Sequence, residues 1–453
     1  MLAGTASCIE EHSSLYKVDG EIGRFKFKTY DVINRKKKTL FAGIAQFPEH
    51  KGRQWYPSRG FKEIALIYGA SQRSYRQTIN VLNRSRYQET GGTPLNTLRD
   101  VTETEGLKVL DFMSRKSEDI LKKHAFSLSG VPELDCAIIE AISDVSLIEQ
   151  VALQPALIAV CADMTKKGLS VEDIANVKKT IVDNKVYENP HQCVYVHIDD
   201  VGVKEQKEHR NKKDAVKVDF ESQSEPIKDK RPTVQNTVAR IEHSGKGFTL
   251  TGRSVSEILR FTLAFLLNNG LLGLTIMVCT DGQRSLQDSI VSFFSWHKNL
   301  SLLLDWFHVV KKFKEDLSLA CKGRNIRNRH LKQLLTLLWF GLIDKAQAYL
   351  TSIPTEEIKN VAAIERLKGY LERNRKRIPC YAMRSKLKLA NSSNPVERSN
   401  NLVTAKRQKH QGMSWSANGS YALTALNALI ANKITQQWVE NRTITFELQA
   451  MAA

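Results

Sequence analysis

The sequence predicts a mixed α/β fold for the second half of the chain, and two observations support this prediction. Three strand-like runs follow one another at 193–198, 233–243 and 247–251, each rich in β-branched or aromatic residues. After a helical segment, two further runs at 274–280 and 302–304 are separated by another helical segment. Meandering strands followed by alternating strands and helices are typical of a mixed sheet with helices packed on its faces.

Short motifs mark the limits of these elements. The first run ends at Asp199, and the tripeptide Ser-Gly-Lys at 244–246 is a hairpin signal between the second and third runs. Ser254 and Glu257 make a capping box that opens the helix before the fourth run. Asn394, which is followed by proline, is expected to cap a later helix. These signals indicate where each element begins or ends.

Composition and periodicity divide the 453 residues into seven segments, a length that allows two to four domains. The charged stretch 203–232 has few large apolar residues and is expected to be an exposed loop. The segments are a basic N-terminal segment (1–58), a helix-turn-helix region (59–105), a helical linker domain (106–190), the first part of the α/β core (191–305), an all-helical insertion (306–386), the last part of the core (387–440) and a tail (441–453).

Residues 59–87 predict a helix-turn-helix within the mostly α-helical region that precedes the α/β core. Apolar residues recur at helical spacing, Gly69 ends the first helix and Ser71 can cap the second. In this arrangement Arg73 and Arg76 on the second helix can face DNA phosphates or bases. An ordinary helical hairpin is the alternative interpretation.

The chain is strongly basic. It has 67 Lys and Arg against 48 Asp and Glu, which gives a net charge of +19 and a pI of about 9.5. This excess suits a polyanionic partner such as double-stranded DNA, although an anionic membrane surface would also suit it. The seven cysteines include no close pair, which argues against a zinc finger and against a disulfide framework. We therefore expect free thiols in a reducing cytoplasm.

The sequence gives little reason to expect a membrane protein. Residues 1–30 lack the apolar region of a secretory signal. The uncharged stretch 261–280 is long enough to span a bilayer, but Asn268-Asn269-Gly270 interrupts it with a turn signal. We interpret it as a buried helix, a turn and a buried strand, and we expect a cytoplasmic protein associated with the nucleoid.

Three acidic residues stand where an α/β fold places functional groups. Asp199 and Asp281 each follow a predicted strand, and Glu397 lies near the start of a helix; strand ends of an α/β sheet meet at one edge. Gathered carboxylates repel one another unless a cation neutralises them, and oxygen-only ligands favour Mg²⁺ or Mn²⁺. Taken singly, each residue also has an ordinary explanation as a strand end, a turn or a helix start.

Four sequence blocks carry a resemblance to a known family. They are VYVHIDDVGVK at 194–204, VCTDGQRSLQDSI at 278–290, LLLDWFHVVKKF at 302–313 and the block NPVERSNNLVTAKRQKHQGMSWSANGSYALTAL at 394–426. Together they resemble the DDE transposases of bacterial insertion sequences, in the ISLre-like and ISKra-like groups, which are distantly related to Mutator-type transposases.

The resemblance implies an α/β ribonuclease-H-like catalytic core with an all-helical insertion. It also implies that Asp199, Asp281 and Glu397 are the catalytic triad and hold two Mg²⁺ or Mn²⁺ ions. The partners would be the terminal repeats of the element and target DNA, bound by a homo-oligomer. Many relatives have glycine after the first aspartate, whereas this chain has Asp200. Asp200 is therefore an alternative first ligand, although alternation along a strand lets only one of the two point inward.

The resemblance also extends to a D-x-x-H element formed by Asp305 and His308. His308 would contact the scissile phosphate or move a proton. The alternative is that the two side chains bond to each other and hold the corner between strand and helix.

Basic residues crowd the Glu397 helix and its exit. Near a metal site, Arg398, Lys406, Arg407 and Lys409 can hold the phosphates that flank a cut, although such charges are also ordinary on a helix surface. The leading interpretation is a transposase that cleaves DNA at the element ends and joins the freed 3′-hydroxyls to a target. A metal-dependent nuclease of the same fold and a non-catalytic DNA-binding regulator are the alternatives.

Overall fold

The computed structural model describes most of the chain. The described residues are 8–20, 22–34, 39–42, 55–70, 74–88, 92–133, 137–140, 142, 146–183, 187–207, 232–409 and 413–450. The chain divides into two units, which are described separately. The first unit comprises 1–112, 202–234 and 402–444, and the second comprises 113–201, 235–401 and 445–453.

Ten strands are formed by the described residues. In chain order they are β1 (Cys8–Gly20), β2 (Gly23–Asn34), β3 (Thr39–Ala42), β4 (Trp55–Pro57), β5 (Cys193–Lys204), β6 (Thr233–His243), β7 (Lys246–Gly252), β8 (Thr275–Thr280), β9 (Leu300–Leu304) and β10 (Gln449–Ala450).

The α-helices account for most of the remaining described residues. They are α1 (Arg59–Ile64), α2 (Tyr75–Ser85), α3 (Leu95–Lys123), α4 (Ala137–Glu140), α5 (Gln150–Lys166), α6 (Val171–Asp183), α7 (Val255–Asn268), α8 (Arg284–Phe293), α9 (Trp306–Ala320), α10 (Arg324–Trp339), α11 (Ile343–Thr351), α12 (Val361–Asn374), α13 (Tyr381–Lys386), α14 (Asn394–Asn400), α15 (Lys406–Gln408), α16 (Ala417–Ala431) and α17 (Thr435–Asn441).

A six-stranded mixed sheet has the order β10-β7-β6-β5-β8-β9. Strand β8 pairs in parallel with both β5 and β9, whereas β6 and β7 form an antiparallel hairpin. The hairpin turns at Ser244 and Gly245, whose φ angles of 49° and 74° are those of a two-residue turn with left-handed central positions. The sequence predicted this hairpin and the mixed sheet, and the structure confirms both.

The apolar stretch 261–280 forms the end of α7, a turn and β8. Ser254 caps α7 by accepting a hydrogen bond from the Glu257 backbone N–H, and Gly270 with φ of 64° lies in the turn. All six residues of β8 are buried, as expected for a strand inside a parallel arrangement. The prediction of a helix, a turn and a strand is confirmed. Across the described ranges, no helix is long and apolar enough to cross a membrane.

The helical segment after β9 packs into one large core within the second unit. Residues of α9 to α13 share this core with α5, α6 and residues of β8 and β9. Helices α5 and α6 belong to the segment that the sequence treated as a separate linker. The helices of the insertion cover the apolar faces of α5 and α6. Leu157 and Val160 of α5, for example, belong to the same core cluster as Phe313 and Leu338 of the insertion.

The first unit contains a sheet that the sequence analysis did not predict. Strands β1 to β4 have the order β3-β2-β1-β4, and β1 and β2 form a hairpin that closes at Gly20 and Gly23. The sequence assigned no structure to the segment 1–58. Its strand pattern is obscured because charged residues occur along both β1 and β2.

Two helices follow that sheet at the place where a helix-turn-helix was predicted. Helix α1 continues as a π-helical turn, Ala65–Gly69, and α2 begins at Tyr75. Ser71 and Arg73 lie outside the described residues. Ser74 caps α2 by accepting a hydrogen bond from the Gln77 backbone N–H at 3.2 Å. The helices share a small core with the start of α3, formed by Phe61, Ala65, Ile79, Leu82, Leu98 and Val101.

Two predicted helix limits in the last part of the chain differ in the structure. Ser393, and not Asn394, is the N-cap residue of α14. The single helix expected at 416–440 is divided into α16 and α17, and Lys433 between them has a φ of 58°. Such a left-handed residue ends a helix because the chain leaves the helical path there.

Candidate functional site

Asp199 lies inside a central strand and is held by an amide. The prediction that the strand ends at Asp199 is wrong, because β5 continues to Lys204. The Asn400 Nδ2 atom donates a hydrogen bond to Asp199 Oδ2 at 2.6 Å. Burial raises the pKa of Asp199 to about 6; the negative charge of Asp281 acts in the same direction, and His308 opposes it. Asp199 is therefore a partly buried acid without a full counter-charge.

Asp200, the alternative first ligand, has a different partner. Its Oδ1 atom accepts a hydrogen bond of 2.6 Å from the Thr237 hydroxyl on the neighbouring strand β6. Burial raises the pKa of Asp200, and the hydrogen bond from Thr237 opposes that effect. Neighbouring residues of a strand point to opposite faces. Asp199, which bonds the helix that carries Glu397, is therefore the better candidate.

Asp281 directly follows β8, the strand beside β5. Its Oδ1 atom accepts a hydrogen bond of 2.8 Å from the Gln283 backbone N–H, so the carboxylate closes the turn before α8. Gly282 in this turn has a φ of 87°, and a Cβ atom there would lie 2.9 Å from Leu304 and 3.0 Å from the Tyr370 hydroxyl. The turn that carries Asp281 therefore requires glycine for both its conformation and its space.

Glu397 lies on α14, and its carboxylate faces a histidine. The distance between Glu397 Oε1 and His308 Nε2 is 3.7 Å, and the Glu397 side chain is 32% exposed. Burial raises the pKa of Glu397, and the charge of His308 partly offsets this effect. Of the three predicted catalytic carboxylates, Glu397 is the one in direct reach of His308.

Asp305 holds His308 from the opposite side. The fully buried Asp305 accepts a hydrogen bond of 2.8 Å from the Phe307 backbone N–H at the start of α9. Its Oδ2 atom lies 2.8 Å from His308 Nδ1 and also accepts a hydrogen bond from the Ser393 hydroxyl. The predicted bond between Asp305 and His308 is thus confirmed. It leaves Nε2 of His308 directed at Glu397.

Several acidic groups affect the pKa of His308. Burial lowers its pKa, but the hydrogen bond to Asp305 and the charges of Asp305, Asp199 and Asp281 outweigh burial, and the pKa of His308 is raised. Each of the predicted carboxylates is therefore near enough to affect this ring or to contact it. The negative charges of Asp305, Asp199 and Asp281 favour the protonated form of His308.

The carboxylates do not form a closed metal cluster. Within the part of the chain that the structure describes, no three His, Cys, Asp or Glu side chains are grouped closely enough to hold an ion. The donor chemistry nevertheless fits a hard divalent cation, since Asp199, Asp281 and Glu397 offer only oxygen. The buried Oδ1 atom of Asn400, next to Asp199, also has no hydrogen-bond partner among the described residues.

The basic residues predicted to contact DNA differ in exposure. Arg76, Arg398, Lys406 and Lys409 are exposed. Arg407 is not, and its prediction as a phosphate contact is wrong. Its side chain is 0% exposed, and its guanidinium lies 5.1 Å from the centre of the Tyr75 ring and 4.9 Å from that of Trp415.

Sequence reasoning did not identify three polar residues that hold the acids: Thr237, Ser393 and Asn400. Only Asn400 left a usable signal, because it lies three residues after Glu397 and so shares its helix face.

Comparison of the chain with protein-family models, curated proteins and solved structures gives no match. Inferences about function therefore rest on the residues themselves and on their geometry.

Proposed function

We propose that the chain is a DDE-type DNA transposase, which cleaves and joins phosphodiester bonds at the ends of an insertion sequence. One observation carries the proposal. Asp199 lies on β5, and Asp281 directly follows the adjacent parallel strand β8; the charges of both raise the pKa of His308. The helix after the long helical segment brings Glu397 to the same histidine, His308. This succession of strands, helical insertion and glutamate helix is what a ribonuclease-H-like transposase core requires.

The residues suggest a division of roles. Asp199, Asp281 and Glu397 would hold two Mg²⁺ or Mn²⁺ ions. With ions bound there, the site would supply activation of the attacking water or 3′-hydroxyl and stabilisation of the leaving oxygen. Asp305 fixes the orientation of His308, whose Nε2 atom can hydrogen-bond a phosphate oxygen or move a proton. Exposed Arg398 is available to a flanking phosphate.

In the first unit, α2 presents Arg76 to solvent, and Lys406 and Lys409 are also exposed. These residues are candidates for sequence-independent contacts with the DNA backbone. The net charge of +19 favours double-stranded DNA, and pairing of two element ends would need a homo-oligomer. Salt titration of DNA binding tests this part of the proposal, because each lost phosphate contact reduces the salt dependence.

The central test uses duplexes that carry the ends of the DNA element encoding this chain. We expect Mg²⁺-dependent cleavage by the wild type and a loss of roughly a hundredfold or more in Asp281→Ala and Glu397→Gln, since metal-ion stabilisation is worth several kcal/mol. Asp288→Asn is the matched control, because this acid on α8 is 65% exposed and pairs with Arg284 on the same helix. DNA binding is measured in parallel, so that lost chemistry is separated from lost binding.

Pre-cut ends with a free 3′-hydroxyl distinguish a transposase from a nuclease of the same fold. Joined products are expected if the chain is a transposase. Cleavage without joining would favour the nuclease. DNA binding without any metal-dependent cleavage would instead favour a non-catalytic regulator.

A further inference from the structure

Asn400 occupies a distinctive place beside the candidate site. It is the last residue of α14 and only 6% exposed. Its Nδ2 atom donates to Asp199 Oδ2 at 2.6 Å. Because an ionised carboxylate only accepts hydrogen bonds, the amide nitrogen must face Asp199. The amide oxygen is consequently not the atom that contacts that carboxylate.

The amide oxygen of Asn400 is buried and unsatisfied. Among the residues that the structure describes, none donates a hydrogen bond to Oδ1. A buried acceptor without a partner is unfavourable, and nearly all such groups in folded proteins are paired. A donor, a water molecule or a cation is therefore needed at this atom. Because the same amide contacts the acid Asp199, a cation is the favoured partner.

The position of Asn400 links two of the three carboxylates. It follows Glu397 by three residues, so both side chains project from one face of α14. Its amide reaches Asp199 on β5, which comes from a distant part of the sequence. Carboxamide oxygens bind the same hard cations as carboxylates do. Asn400 thus combines the right atom type with contact to the site.

We propose that Asn400 completes the cation site, with Oδ1 as an additional oxygen ligand and Nδ2 as the group that orients Asp199. This inference rests on the proposed function, because the cation is the one that Asp199, Asp281 and Glu397 would hold. Asn400 would have two roles that a purely structural link between β5 and α14 does not have. It would supply a ligand, and it would fix the orientation of another ligand.

The test measures Mn²⁺ binding to the full chain without DNA, by electron paramagnetic resonance of free Mn²⁺. Asn400→Leu removes both the amide oxygen and the amide donor at similar volume, and we expect its affinity to fall by roughly tenfold to a hundredfold. Asn400→Asp keeps an oxygen ligand and should bind Mn²⁺ at least as tightly as the wild type. Ser399→Ala is the control, since this buried neighbour bonds the backbone oxygen of Pro395 on its own helix.

The outcomes separate the inference from the proposed function. Loss of Mn²⁺ binding in Asp199→Asn and Glu397→Gln but not in Asn400→Leu would overturn the role of Asn400 alone. Equal losses in Asn400→Asp and Asn400→Leu would overturn the ligand role of Oδ1. No Mn²⁺ binding by the wild type would overturn the cation site and the inference with it. Thermal unfolding in EDTA verifies that each variant is folded, and Asn400→Ser replaces Asn400→Leu if the latter is not.

Discussion

Two acids in the second unit, Glu188, which is almost fully buried, and Asp199, which is partly buried, have very different surroundings. Glu188 accepts hydrogen bonds of 2.8 and 2.6 Å from the guanidinium of Arg384, and both side chains are almost fully buried. The hydroxyl of Tyr195 adds a third bond to Glu188 at 2.9 Å. Asp199 has instead the neutral amide of Asn400 and the backbone N–H of Asp200. One acid is neutralised within the protein, and the other is left short of positive charge.

The difference in counter-charge indicates a structural role for Glu188 and a functional role for Asp199. A buried pair with every polar atom satisfied organises the core, and it needs nothing from outside. A partly buried acid whose pKa is raised by desolvation, and raised further by another acid, is typical of a functional site. The pair of Glu188 and Arg384 is therefore structural, and Asp199 belongs to the candidate site.

The largest effect on stability is expected when the ion pair of Glu188 and Arg384 is broken. Arg384→Met leaves the Glu188 carboxylate buried without a counter-charge, which should lower the free energy of unfolding by about 3–5 kcal/mol. Urea unfolding monitored by circular dichroism measures the loss. The double variant Glu188→Gln with Arg384→Met should recover part of it, because no charge is then left unpaired. A loss below about 1 kcal/mol in Arg384→Met would contradict a structural role.

When no metal is present, removal of the Asp199 charge should raise the free energy of unfolding, whereas Arg384→Met should lower it. The pKa of Asp199 is about 6 in the folded chain and about 4 in an unfolded one. Between these values the folded state binds more protons, so stability falls as pH rises and the penalty is complete above pH 6. Asp199→Asn removes the penalty and should stabilise the chain by about 1–3 kcal/mol at pH 7 in EDTA.

The pH dependence supplies the control for this prediction. At pH 4 both wild-type Asp199 and the variant Asn are neutral in the folded state, so the gain should nearly disappear. Unfolding curves in EDTA at both pH values measure the difference. A stability gain that is equal at pH 4 and pH 7 would show that removal of charge is not its cause.

The same contrast explains how much the sequence could predict. The hairpin of β6 and β7 and the buried strand β8 were predictable because their signals are local: a Ser-Gly-Lys turn and an unbroken apolar run. The position of Asp281 followed from the end of β8. The position of Glu397 followed from the helix start predicted at Asn394. The meeting of Asp199, Asp281 and Glu397 around shared cations was inferred only from strand order and from the family resemblance.

The remaining features depend on contacts between residues far apart in the sequence. Strand β5 continues through Asp199 and Asp200, whose carboxylates accept hydrogen bonds from Asn400 and Thr237. No local sequence pattern predicts these two partners. Arg407 is buried because Tyr75 and Trp415 enclose its guanidinium. A sequence pattern places a basic residue on a helix, but only tertiary contacts decide whether the residue is exposed.

The smallest effect is expected where an acid is paired but exposed. Asp288 and Arg284 form a pair at 3.4 Å on α8, with side chains 65% and 83% exposed. Solvent screens such a pair, so Asp288→Asn should change the free energy of unfolding by less than about 0.5 kcal/mol. Urea unfolding at pH 7 measures the change, and added salt should leave it near zero. If this exposed variant destabilised the chain as much as Arg384→Met, the loss in Arg384→Met could not be attributed to a buried charge without a partner, and the contrast between Glu188 and Asp199 would lose its physical basis.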